Sequence, residues 1–267
     1  MAVADLAAQE KQVQIGGATL KYLEAGNGPP LLVLHGELGF PGWTDFYTQL
    51  SKTRRLIVLL HPGFGVSDRI DWIMNIRELA CFYARFLQEQ KLAPIAVLGF
   101  SLGGWIAAEM AVNNSGLFTQ MALVGAAGIR PPKGEIRDLF DRPTQHYIEN
   151  SVFDPVGAPE FSKLYGGVSP EKQYEMWEDA RAETARLAWA PYMYNPSLPY
   201  LLQGISGLPT LLVWGGEDKV VPASAGEVYA NSIRGAKLEM FDKCGHLPEI
   251  EKKDELLARL LDFLAAK

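Results

Sequence analysis

The sequence predicts an α/β fold, a mostly parallel sheet flanked by helices and interrupted by a helical insertion. Three observations carry this. Short runs such as Leu31-Leu32-Val33-Leu34 are apolar at every position, as strands buried on both faces require. Amphipathic stretches separate these runs, and strand–helix–strand alternation implies parallel strands joined by right-handed crossovers. Over residues 129–206 the apolar runs stop and prolines punctuate short helical stretches; the strand pattern then resumes.

Residues 19–24 alternate apolar and polar side chains and end at Gly26-Asn27-Gly28-Pro29, the pattern of a hairpin strand at a sheet edge. Residues 30–35 form a buried strand closed by Gly36. A short helix is expected over 45–51 and a second buried strand over 56–60, ending at His61-Pro62-Gly63. Across 75–90, Ile76, Leu79, Ala80, Tyr83 and Leu87 form one helical stripe. A strand over 95–99, a helix over 102–112 and a strand over 121–124 follow. The insertion is rich in Tyr, Trp and Met, with Trp177, Ala180, Thr184 and Leu187 at helical spacing. Strands return at 210–214 and 238–241. A last helix over 254–264 turns Leu256, Leu257, Leu260, Leu261 and Leu264 toward the sheet. The expected organisation is a core of residues 1–128 and 207–267, with 129–206 inserted into it.

The chain has 267 residues and a formal charge of −6, with 31 acidic against 25 basic side chains. That balance, with no basic run, argues against a nucleic-acid partner. Two cysteines, Cys81 and Cys244, make no disulfide framework. The first ten residues have neither the basic start nor the apolar core of a signal peptide, and no apolar window is long enough to span a membrane. A soluble cytoplasmic protein without a membrane partner is expected. No His or Cys pair has metal-ligand spacing, and no phosphate loop or dinucleotide fingerprint follows a strand, so neither metal nor cofactor is expected.

The chemistry concentrates in Val97-Leu98-Gly99-Phe100-Ser101-Leu102-Gly103-Gly104-Trp105. Gly-x-Ser-x-Gly between a buried strand and a helix forms a tight turn that lifts the serine above the sheet. Gly99 and Gly103 lack the Cβ atoms that would collide there, and the helix beginning at Leu102 directs free N–H groups toward charge forming near Ser101. A serine hydroxyl needs a base, and the base needs an orienting acid. Of His35, His61, His146 and His246, only His246 follows the last strand, where a loop returns over the sheet edge. Glu217 and Asp218 compete for the acid, both just after the strand over 210–214. The order Ser101, Asp218, His246 is that of a hydrolase triad on an α/β sheet.

These residues make the chain resemble the α/β-hydrolase superfamily, in its serine-nucleophile esterase and ring-cleavage-product hydrolase-like branch. The matching pieces are His35-Gly36, Pro62-Gly63-Phe64-Gly65-Val66-Ser67, the elbow, Gly215-Gly216-Glu217-Asp218 and Gly245-His246, spread over nearly the whole length. The resemblance implies an eight-stranded, mostly parallel sheet and makes the insertion a cap over the pocket. It puts the acid at Asp218 and the oxyanion hole at the backbone N–H groups of Glu37 and Leu102. The expected function is a serine hydrolase: a carboxylesterase for small to medium apolar esters, with a small-molecule substrate. The alternatives are a carbon–carbon hydrolase of aromatic ring-cleavage products, a lactonase, or a ligand-binding relative that retains the triad. The carbon–carbon hydrolases typically carry Asn before the serine and Trp after the histidine, where this chain has Phe100 and Leu247.

Other polar residues receive simpler expectations. His35 holds the oxyanion loop, His61 is a hydrogen-bonded residue behind the site with reach into the pocket as the alternative, and His146 lies at the surface. The Glu37 side chain points away from the developing negative charge or is paired. Cys81 belongs to the core, and Cys244 packs beneath the histidine loop.

Overall fold

The computed structural model describes residues 8–158, 160–165 and 170–266. One sheet contains β1 (Gln9–Ile15), β2 (Ala18–Ala25), β3 (Pro30–Leu34), β4 (Arg55–Leu60), β5 (Ile95–Phe100), β6 (Phe118–Val124), β7 (Thr210–Gly215) and β8 (Lys237–Phe241). Their spatial order is β1-β2-β4-β3-β5-β6-β7-β8. β2 pairs antiparallel with β1 and β4, and the remaining neighbours are parallel. The helices are α1 (Asp45–Ser51), α2 (Ile76–Glu89), α3 (Leu102–Asn113), α4 (Thr144–Glu149), α5 (Pro170–Ala188), α6 (Leu198–Leu202), α7 (Ser224–Ser232), α8 (Pro248–Glu251) and α9 (Lys253–Ala265).

Strand alternation divides the apolar side chains between two cores. Leu32 and Leu34, Ile57 and Leu59, Ile95 and Val97, and Leu212 and Trp214 face the core shared with α2, α3 and α7. Leu31 and Val33, Leu56 and Val58, Ala96 and Leu98, and Leu211 and Val213 face the one shared with α1 and α9. The central strands therefore read as unbroken apolar runs because both faces are covered. Helices α4, α5 and α6 lie in sequence between β6 and β7, within the expected insertion. Trp177, Ala180, Thr184 and Leu187 are all buried along α5.

Two expectations change, and two elements, β1 and α7, are not foreseen in the sequence. β2 is not an edge strand, because β1 pairs outside it through a Gly16-Gly17 hairpin turn with both residues at positive φ, +57° and +82°. Successive left-handed residues define the turn that suits strand twist, which favours glycine at both positions. Gln9–Ile15 carries no strand signal because only Val13 and Ile15 are apolar in a largely polar strand. Helix α7 likewise lacks a broad apolar stripe, so periodicity does not reveal it. Cys81 lies exposed on the outer face of α2 rather than in the core.

Candidate active site

Ser101 sits between the end of β5 and the start of α3, at φ +46° and ψ −112°. A non-glycine residue at such a φ is strained and persists only where the surroundings over-determine it. Here the Ser101 N–H donates to Val124 O at 2.9 Å, and its carbonyl accepts from Gly104, Trp105 and Ala127. A Cβ on Gly99 would meet Gly103 O at 2.5 Å, so the turn closes only without one. The constraint on Gly103 has a different source from the one expected: its Cβ would strike Leu34 O of β3 at 2.2 Å. Ser101 Oγ is buried and has no hydrogen-bond partner among the described residues.

His246 follows β8, and its Nδ1–H donates to Asp218 Oδ2 at 2.8 Å. The other carboxylate oxygen of Asp218 accepts from the Val220 and Val221 N–H groups at 2.8 and 2.9 Å. Both oxygens are thus committed and the carboxylate is buried, whereas its neighbour Glu217 is exposed. The structure separates these two acids, as sequence spacing alone could not. With Nδ1 held by Asp218, His246 Nε2 is the ring nitrogen left to exchange protons, and it too is buried with no hydrogen-bond partner among the described residues. Burial alone would lower the imidazole pKa, but Asp218, Glu37 and Glu249 outweigh it and push the value up to about 9.

The loop after β3 brings Glu37 beside this pair. Its N–H and that of Leu102 donate to no other group among the described residues. The Glu37 side chain does not turn away. Its Oε1 accepts from the Tyr147 hydroxyl at 2.8 Å and lies 4.0 Å from His246 Nε2. Its carbonyl accepts from Thr184 Oγ1 on α5 at 2.7 Å. Below the loop, the His61 N–H donates to His35 Nε2 at 3.0 Å, which leaves the proton of His35 on Nδ1 to bond Gly36 O at 2.9 Å. His61 Nε2–H donates to His35 O, and its Nδ1 accepts from the Tyr83 hydroxyl at 2.7 Å. Burial pulls His35 down to about 4 and His61 well below its ordinary value, so both rings are neutral and each bond has a fixed direction. His61 supports the loop and does not reach the pocket; His146 is exposed.

A cavity of about 330 Å³ opens against Ser101 and His246. Phe40, Phe64, Phe100, Leu164, Met176 and Trp177 give it an apolar wall. Among the described residues, its acidic lining residues are Glu10, Glu37 and Glu249, and no Lys or Arg lines it. The buried charges described in the insertion, Glu160, Arg181 and Glu183, are engaged elsewhere: Glu160 accepts from Asp45 N–H, Arg181 bonds Leu139 O, and Glu183 bonds Arg69. Sequence inspection missed Glu249, Tyr147 and Glu183. Glu249 lies three residues after His246, a spacing that puts it on the short α8 beside the imidazole, and that signal was available. Tyr147 offered none.

An elbow serine, a histidine and a carboxylate on the carboxyl edge of a parallel sheet define a hydrolase site of the α/β type. The comparisons agree, and the chain belongs to the alpha/beta hydrolase family, whose model matches residues 31–259. It is a hydrolase of the α/β type, on the eight-stranded fold expected for it. The chain is 25% identical to a 2-hydroxymuconate semialdehyde hydrolase of Pseudomonas sp. (strain CF600), over 96% of this chain and 93% of that protein. The solved structure of a membrane phospholipase A, described as a bacterial virulence factor, superposes with a TM-score of 0.80 at 26% identity, covering 96% of this chain and 86% of that one. The 2-hydroxy-6-oxo-6-phenylhexa-2,4-dienoate hydrolase of Rhodococcus sp. strain RHA1 superposes with a TM-score of 0.76 at 21% identity, over 98% and 100% of the two chains; this likeness is one of fold.

Proposed function

We propose that the protein is a serine carboxylesterase for neutral esters with small to medium apolar acyl groups. Ser101 Oγ attacks the ester carbonyl carbon while His246 Nε2 takes its proton, and the carbonyl electron pair moves onto oxygen. The N–H groups of Glu37 and Leu102 hold that oxyanion. Collapse expels the alcohol oxygen, which recovers the proton from His246. Water then attacks the acyl-enzyme, gives a proton to His246, and releases the acid and Ser101. Asp218 keeps the proton on Nδ1 and offsets the charge of the imidazolium. Residues 129–206 act as a cap that sets substrate size. A cytoplasmic location belongs to the same proposal, supported by two unpaired thiols.

One observation carries the ester assignment over its rival: among the described residues, no Lys or Arg lines the cavity at Ser101. A ring-cleavage dienoate is an anion and would have to enter against Glu37 and Glu249 with no Lys or Arg to pair it. His246 supplies no counter-charge in the neutral form that the base requires, so entry is costly away from water. A neutral ester meets no such penalty. Carbon–carbon hydrolysis remains the second reading because the semialdehyde hydrolase of Pseudomonas is so named.

The test is initial rates on p-nitrophenyl esters from acetate to palmitate, with a ring-cleavage dienoate alongside. Each buried methylene contributes about 0.8 kcal/mol. kcat/KM should therefore rise from acetate to a short or medium chain and fall once the cavity is filled. Dienoate turnover far above every ester would replace this proposal with the second reading.

A further inference from the structure

We propose that Glu37 and Glu249 form a subsite for a cationic alcohol group, so that the preferred esters are those of short amino alcohols bearing an ammonium. The inference rests on the esterase proposal and specifies its substrate. In that reaction His246 Nε2 returns a proton to the leaving alcohol oxygen, so whatever lies against Nε2 lies against the alcohol rather than the acyl group. Glu37 Oε1 is 4.0 Å from that nitrogen. Glu249 lines the same cavity and adds to the negative field at His246. The Glu37 carboxylate therefore faces the leaving group, close enough to the ester oxygen to require a short spacer.

The two acids are 5% and 4% exposed, too deep for bulk water to solvate them. Glu37 has the Tyr147 hydroxyl as a donor. Glu249 Oε2 is buried with no hydrogen-bond partner among the described residues, and burial pushes this carboxyl up to about 7. A buried acceptor left without a donor is costly, and the cost falls when a ligand supplies the donor or the charge. Phe40, Phe64, Phe100 and Trp177 line the same space, and aromatic faces attract ammonium groups, quaternary ones included. A metal ion fits less well, because no group of three or more His, Cys, Asp or Glu among the described residues is arranged to hold one. The chain's formal charge of −6 also favours approach of cations.

The experiment compares butyrylcholine with neohexyl butyrate, which has the same shape with a neutral carbon in place of the ammonium nitrogen. Wild-type kcat/KM should favour the cation by roughly tenfold or more, the scale of one desolvated cation–aromatic contact plus charge pairing. In Glu249→Gln the ratio of the two values should fall several-fold, whatever happens to the absolute rates. A second measurement needs no variant: choline should inhibit p-nitrophenyl butyrate hydrolysis at concentrations roughly tenfold lower than neohexanol does. Equal use of both esters, equal inhibition by both alcohols, or a ratio unmoved in Glu249→Gln would overturn the cationic subsite while leaving the esterase proposal intact. Turnover of neither butyrate and of no p-nitrophenyl ester would remove the esterase proposal and this inference with it.

Discussion

In the proposed mechanism His246 is the residue on which the chemistry turns, and its surroundings carry more negative charge than that role demands. Asp218 bonds it, while Glu37 and Glu249 also hold the imidazole in its protonated form, with a pKa of about 9. A general base must be neutral to accept the serine proton, so kcat/KM should climb with pH through a limb above the ordinary histidine value of 6.5. Removing a negative neighbour weakens the protonated form and lowers that pKa. Glu249→Gln should accordingly move the limb to lower pH, a shift read from pH–rate profiles of p-nitrophenyl butyrate. An unchanged limb would detach Glu249 from the imidazole. The roles of the triad itself are tested separately. Ser101→Ala should fold normally and lose roughly 10³-fold or more in kcat. Asp218→Asn should cost several orders of magnitude because the imidazole settles in the wrong tautomer, whereas Glu217→Gln should stay within about tenfold of wild type. The reverse ranking would move the acid by one residue.

Helix α5 shows what an element can carry that its apolar stripe does not announce. Glu183 is fully buried, receives Arg69 Nε at 2.9 Å and pairs with Arg186 on its own helix, and Arg186 also reaches the Ile73 carbonyl. Gly63 makes room for it: a Cβ there would lie 2.4 Å from Glu183 Cδ. The Pro62-Gly63-Phe64-Gly65 stretch is thus also a seat for the insertion. Glu183→Gln leaves two arginines around an uncharged group and should destabilise the fold by about 2–4 kcal/mol, less than a wholly buried orphan charge because Arg69 is half exposed. Arg69→Gln should cost about 1 kcal/mol or less. Chemical denaturation of both variants ranks them, and equal losses would contradict the assignment.

At the scale of the whole molecule, the candidate site collects the carboxyl ends of four parallel strands: Glu37 after β3, Ser101 after β5, Asp218 after β7 and His246 after β8. Ligands of open α/β sheets bind along that edge. Each of these residues sits in a short local pattern set by its own strand end, and a local pattern is legible in a linear chain. The central strands are legible for a related reason, since burial on both faces writes itself as continuous apolar runs. The unread parts have a different physics. Tyr147 meets Glu37 across 110 positions, and Arg69 meets Glu183 across 114, so no local pattern encodes either pairing. β1 and α7 are held by pairing and packing more than by periodicity.

The His246 N–H donates to the Ser151 carbonyl at 2.6 Å. Nearby, the Glu251 carboxylate accepts from Gly245 N–H at 2.8 Å and from Phe153 N–H at 2.6 Å, and a Cβ on Gly245 would strike Ser151 O. The histidine loop is therefore stitched to residues 151–153, within the stretch proposed as the cap. A chimera that grafts a relative's residues 129–206 onto this core should fold yet mis-set its imidazole unless residues 245–251 travel with the graft. Restoring that donor-matched loop should recover turnover, and a graft fully active without it would show the stitching to be dispensable. On the proposal that residues 129–206 set substrate size, that range can then change by recombination only in units that include the loop bearing His246.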